Sequence, residues 1–127
     1  MAFSTQYIDR DKYLEIKISG CPTYAEILEF WVSVVDHCQT TESRRLLILA
    51  ELDNELESFS TAENYQIASR LPQLGFPQKT RIAILYKHDR FFHTDKFGET
   101  VARNRGLNVL IFQDTENALL WLLEDSN

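Results

Sequence analysis

The residue pattern predicts an α/β protein in which an N-terminal β-hairpin is followed by repeating βα units. These build a mainly parallel five-stranded sheet with four main helices. Three observations carry this reading. Residues 13–19 alternate between apolar and polar side chains just after a polar turn. Two short apolar runs follow: residues 46–50 suit a central strand covered on both faces, and residues 82–85 form the centre of another strand. Helical stripes separate the strands, and capping boxes open two of them.

Residues 3–8 form a weak first strand, and Asp9-Arg10-Asp11-Lys12 is a polar turn. In the second strand Leu14, Ile16 and Ile18 point one way, and Tyr13, Glu15 and Lys17 the other. Period two with one polar face means a half-buried strand, so one face of the sheet is incompletely covered. Strand, four-residue turn and strand together read as an antiparallel hairpin.

Thr23-Tyr24-Ala25-Glu26 is a capping box. The helix after it carries Tyr24, Ile27, Leu28, Trp31, Val34, Val35 and Cys38 on one apolar stripe. Phe30 and Val32 fall outside the stripe, which implies a second contact, and His37 beside it reads as surface. Residues 45–52 are a central strand. The box Ser60-Thr61-Ala62-Glu63 opens a second helix that ends near Leu71, ahead of Pro72. Residues 81–87 are the next strand, and a helix over about 94–104 stops at Gly106, a natural C′ residue. Residues 109–112 are the last strand. Asp114 caps the last helix, which turns Ala118, Trp121 and Leu122 inward.

The chain has 127 residues, 44% of them apolar, enough for one core and one domain over residues 1–127. No apolar run reaches the roughly 18–20 residues of a membrane span, and the N-terminus lacks the pattern of a signal peptide. A cytoplasmic location is expected. The two cysteines, Cys21 and Cys38, make neither a disulfide framework nor a metal quartet and read as buried thiols. A net charge of −6, with the basic residues scattered, disfavours nucleic acid and anionic membrane. A local basic patch around Arg103 and Arg105 stays compatible with this balance.

The chain contains none of the common phosphate-binding or hydrolase motifs, and its four glycines leave little for a phosphate cradle. Glu51, Asp53, Glu55 and Glu57 alternate after the central strand, but no glycine-centred calcium loop surrounds them, and the spacing fits a solvated acidic loop. His88, Asp89 and Arg90, with His93, Thr94 and Asp95, follow the next strand without a third strong ligand pattern. Phe91, Phe92 and Phe97 crowd one loop-to-helix segment, with Phe59 and Phe76 in other loops. They seal the edge of the core or else line an apolar pocket.

The last third carries a resemblance. Glu99-Thr100-Val101-Ala102-Arg103-Asn104-Arg105-Gly106-Leu107, then residues 109–112, then Ala118-Leu119-Leu120-Trp121-Leu122 is similar to the C-terminal signature of the bacterial SpoIIAA-like family. In that family an Asn-Arg-Gly turn leads into the last strand and an Ala-x-x-Trp-Leu helix closes the domain. The resemblance implies a STAS-like domain (sulfate transporter and anti-sigma factor antagonist) with a fold related to the CRAL-TRIO lipid-binding domain. It also implies a non-enzymatic regulatory or protein-docking module. In phosphorylated STAS antagonists an Asp-Ser pair precedes the second capped helix, and a partner kinase phosphorylates its serine. This chain departs from that pattern: Glu57-Ser58-Phe59-Ser60-Thr61 has neither the Asp-Ser pair nor a glycine. Ser58 is the nearest positional match, and Ser60 is the helix cap. A phosphate is welcome at a helix N-terminus, but the four nearby acids oppose it.

The expected binding residues are therefore Ser58, Ser60, His88, Asp89, Phe91 and Phe92, on loops leaving one edge of the sheet. No catalytic residue, metal ligand or cofactor is expected. The expected partner is an unidentified protein, with binding of an apolar small molecule or lipid as the alternative. A homodimer is among the assemblies the reading allows, while nucleic acid and membrane insertion are not expected.

Overall fold

The computed structural model describes residues 3–20, 22–52, 61–86 and 99–124. Five strands form one sheet: β1 (Phe3–Asp9), β2 (Leu14–Gly20), β3 (Arg45–Leu52), β4 (Arg81–Tyr86) and β5 (Asn108–Phe112). Their spatial order is the chain order, β1-β2-β3-β4-β5. β1 runs antiparallel to β2, from Phe3 opposite Gly20 to Asp9 opposite Leu14. The pairs β2–β3, β3–β4 and β4–β5 are parallel. The predicted hairpin and parallel sheet are both present, and the apolar run of residues 46–50 lies in the middle strand.

The helices are α1 (Tyr24–Thr41), α2 (Thr61–Arg70), α3 (helical over residues 99–104) and α4 (Thr115–Leu122). α1 starts where the sequence places it. The Thr23 side chain accepts from the Glu26 backbone N–H at 3.2 Å, and the Glu26 carboxylate accepts from the Thr23 N–H at 2.9 Å. Both orphan donors at the helix start are thereby met. α2 gives way to a 3₁₀ turn (Leu71–Gln73) that contains Pro72, because proline cannot continue the hydrogen-bond ladder. α3 ends in the Asn-Arg-Gly turn. Gly106 has φ +99°, and the Leu107 N–H reaches the Ala102 carbonyl at 3.2 Å. Glycine enters that left-handed region without steric cost, as a C′ residue requires.

The two faces of the sheet are filled differently. Leu14, Ile16, Ile18, Leu46, Ile48, Ala50, Ile82, Ile84, Val109 and Ile111 point to one face and are buried there. Ile27, Phe30, Trp31, Val34 and Cys38 of α1 join this cluster, with Leu71, Ala102 and Leu107. Phe30, expected outside the α1 stripe, is in the core, whereas Val32 is exposed. Phe30 meets the Trp31 ring edge-on at 5.2 Å, so adjacent helix positions share one aromatic cluster. His37, expected at the surface, is half-buried and stacks on Tyr7 of β1 at 4.5 Å.

Among the described elements, α4 packs on the opposite face, where Leu47, Ala83, Ala118 and Leu122 form a smaller buried cluster. Trp121, expected inward, is half-buried at its rim. Its ring lies 5.7 Å from Phe112, and the Arg81 guanidinium sits over it at 5.9 Å. Arg81 also donates to the carbonyls of Trp121 (3.1 Å) and Glu124 (2.6 Å), and Arg45 to that of Leu123 (3.5 Å). α4 has no basic residue in its last turn. Two strand arginines supply the positive charge its C-terminal carbonyls favour.

Candidate functional site

β2 to β5 run parallel, so their C-terminal ends share one edge of the sheet. Ligands of open α/β sheets commonly bind outside that edge. β3 ends at Leu52 and β4 at Tyr86, and the two strands are hydrogen-bonded neighbours with Ala50 opposite Tyr86. The segment 53–60 leaves the first strand and the segment 87–98 the second. Ser58, Ser60, His88, Asp89, Phe91 and Phe92 lie in these segments, outside the described residues. So do Asp53, Glu55, Glu57, Phe59, Arg90, His93, Thr94, Asp95 and Phe97, and Cys21, just after β2, is also outside the described residues. The topology starts both segments side by side, as the alternation of strands and helices implied.

The described end of β3 shows what one of the four alternating acids does. The Glu51 carboxylate lies 3.7 Å from the Lys17 ammonium on β2, a half-exposed ion pair across neighbouring strands. Among the described residues no three His, Cys, Asp or Glu side chains gather as a metal site would need.

The remaining sequence candidates resolve into packing. Cys38 is fully buried, and burial pushes its thiol up to about 11. A thiol so shielded is a poor nucleophile near neutral pH. Phe76 packs against the core with its ring 6.4 Å from Trp31, as a seal of the core edge does. Arg103 donates to the Asn108 side chain at 2.9 Å and toward the Val109 carbonyl at 3.4 Å. Arg105 donates to the Tyr65 hydroxyl at 2.7 Å and lies over its ring. These two exposed arginines therefore also tie the end of α3 to β5 and α2.

Two features lay beyond the sequence reading. Glu15, on the polar side of β2, is buried and takes a two-point contact from Arg10 of the hairpin turn, each bond 3.2 Å. The close spacing of Arg10 and Glu15 around a turn was the available signal. A cleft of about 370 Å³ lies at the opposite, N-terminal edge of the sheet. It is lined by Asp9, Asp11, Lys12, Thr41, Glu42 and Arg44 among others. Its charges are mixed and favour no one ligand sign.

No protein-family model matches the chain, and no curated protein does. A solved structure does: an uncharacterized DUF3478-family protein with a SpoIIAA-like fold from Shewanella loihica PV-4. The match covers 95% of this chain and 94% of that one, with a TM-score of 0.55 and 16% sequence identity.

Proposed function

We propose that this SpoIIAA-like fold serves as a non-enzymatic protein-docking module, related in role to STAS domains. The binding surface in this reading is the C-terminal edge of the sheet. One observation carries the proposal: β3 and β4 are adjacent and parallel, so the segments bearing Ser58, Ser60, His88 and Asp89 depart from neighbouring points on one edge. Phosphorylation at Ser58 would add about −1.5 to −2 charges beside Glu55 and Glu57 and alter docking. The test is recovery of partners from native cytosol with wild type, Ser58→Glu and His88→Ala as baits. Loss of a partner in either variant supports the edge as a docking surface, and equal recovery by all three overturns it.

A second reading is favoured by the half-exposed Leu49 and Leu85, on the sheet face where α4 packs. These side chains suit an apolar small molecule. Native mass spectrometry of freshly purified protein distinguishes the two: a bound lipid-sized mass supports the second reading, and a bare chain counts against it.

A further inference from the structure

The two edges of the sheet are treated differently. At β5, Glu99 of α3 accepts from the Ile111 backbone N–H at 2.6 Å, and Arg103, one turn later, reaches the Val109 carbonyl. Two side chains of a neighbouring helix thus occupy main-chain groups of this last strand. Covering an edge in this way is how proteins block pairing with another chain.

β1 is the other end of the sheet. It pairs with β2 without a break from Phe3 to Asp9, so it has no bulge. Its sequence, Phe-Ser-Thr-Gln-Tyr-Ile-Asp, has no proline and no lysine, and its one charge is the terminal Asp9. Among the described residues Ser4 hydrogen-bonds Ser19 and the Asp9 carboxylate accepts from the Asp11 N–H, both within the hairpin. Within the described residues, no proline, lysine or bulge protects this edge strand.

We infer that the β1 edge pairs antiparallel with β1 of a second copy of this chain, about a twofold axis at Gln6. The strand is self-complementary in that register. Thr5 falls opposite the partner's Tyr7 and Ser4 opposite the partner's Ile8, while Gln6 meets its own copy. Antiparallel pairing keeps each side chain on its own face, so Thr5 meets Tyr7 as a β-branched and aromatic pair, a favourable combination. Asp9 falls opposite Phe3, so no like charges meet. A closed twofold contact of this kind uses the same surface on both copies. It leaves the C-terminal edge of the sheet free, and so stands or falls apart from the docking proposal.

Sedimentation velocity over a concentration series is the first measurement, and a reversible monomer–dimer equilibrium is expected. Gln6→Lys sets two ammonium groups face to face at the axis, each with Lys17 as its register neighbour on β2. It is expected to abolish the dimer while the far-ultraviolet circular dichroism of the monomer is kept. Gln6→Cys brings two thiols to the axis. Directly opposed residues of an antiparallel pair have Cα atoms about 4.5–5.5 Å apart, within disulfide range. Mild oxidation should therefore link Gln6→Cys as a dimer, and should leave Ser4→Cys and wild type unlinked. A wild type that stays monomeric at every concentration overturns the inference. So does a dimer that survives Gln6→Lys, or a Gln6→Cys protein that links no faster than Ser4→Cys.

Discussion

The two faces of the sheet are built from the same strands yet rest on different amounts of cover. On one face Ile16, Leu46, Ile82 and Val34 are completely enclosed, and α1, the 3₁₀ turn and α3 all contribute to the cluster. On the other, one eight-residue helix buries Leu47, Ala83, Ala118 and Leu122 and leaves Leu49, Leu85, Leu110 and Phe112 half-exposed. The difference follows from connection geometry. Right-handed crossovers between successive parallel strands in chain order place their helices on the same side. Among the described helices, the one that follows the last strand, α4, covers the other side. The first face therefore holds most of the cohesion, and the second retains apolar surface.

The largest effect should come from contrasting two leucines of β3. Leu46→Ala empties a fully enclosed site and should cost about 2–5 kcal/mol. Leu49→Ala, on the half-open face, should cost roughly half as much, because water already reaches it. Urea denaturation of both variants reads this directly. Equal losses would show that the second face is as tightly closed as the first.

Alkaline pH tests the enclosed face at Cys38. Its thiol is raised from an ordinary 9.0 to about 11 in the folded chain. Above pH 9 the unfolded chain sheds that proton while the folded chain holds it, so stability falls as pH rises from 9 to 11 and then levels. The loss should reach about 3 kcal/mol. Burial also pushes the Tyr7 hydroxyl upward, with the nearby Cys38 adding to the shift, so both groups act in the same direction. Denaturation midpoints across this pH range, compared with Cys38→Ala, isolate the thiol's share. An identical slope in that variant would remove Cys38 as the cause.

The smallest of the three effects concerns the cover of the second face. A fully buried tryptophan truncated to alanine costs about 3–5 kcal/mol. Trp121 is half-buried, so Trp121→Ala should cost about 2 kcal/mol and should speed hydrogen exchange in α4 while leaving α1 unchanged. Exchange that accelerates equally in both helices would mean that the two faces do not open separately.

Much of this architecture was legible in the residues. The alternation of Leu14, Ile16 and Ile18, the apolar run at 46–50, the capping pair Thr23 and Glu26, Pro72 and Gly106 each act through local chemistry, and each marks its element correctly. What escaped depends on segments that approach only in the folded chain. Glu15 looks solvated until Arg10 folds back on it, and Trp121 looks inward until α4 proves to have an open flank. Glu99 and Arg103 look like an ordinary helix surface until β5 lies against them. The proposed docking residues sit in segments 53–60 and 87–98, where sequence supplies residue types and topology supplies only the point of departure.

The strand order has a consequence for assembly. Each new strand pairs with the one made just before it, so no strand waits for a later partner. Along the sheet, contacts span a single hairpin or one βα unit, and short separations of this kind favour rapid folding. Chains emerge from synthesis N-terminus first. The sheet can therefore grow by one strand at a time, with α4 closing over β3, β4 and β5 only after all three are in place.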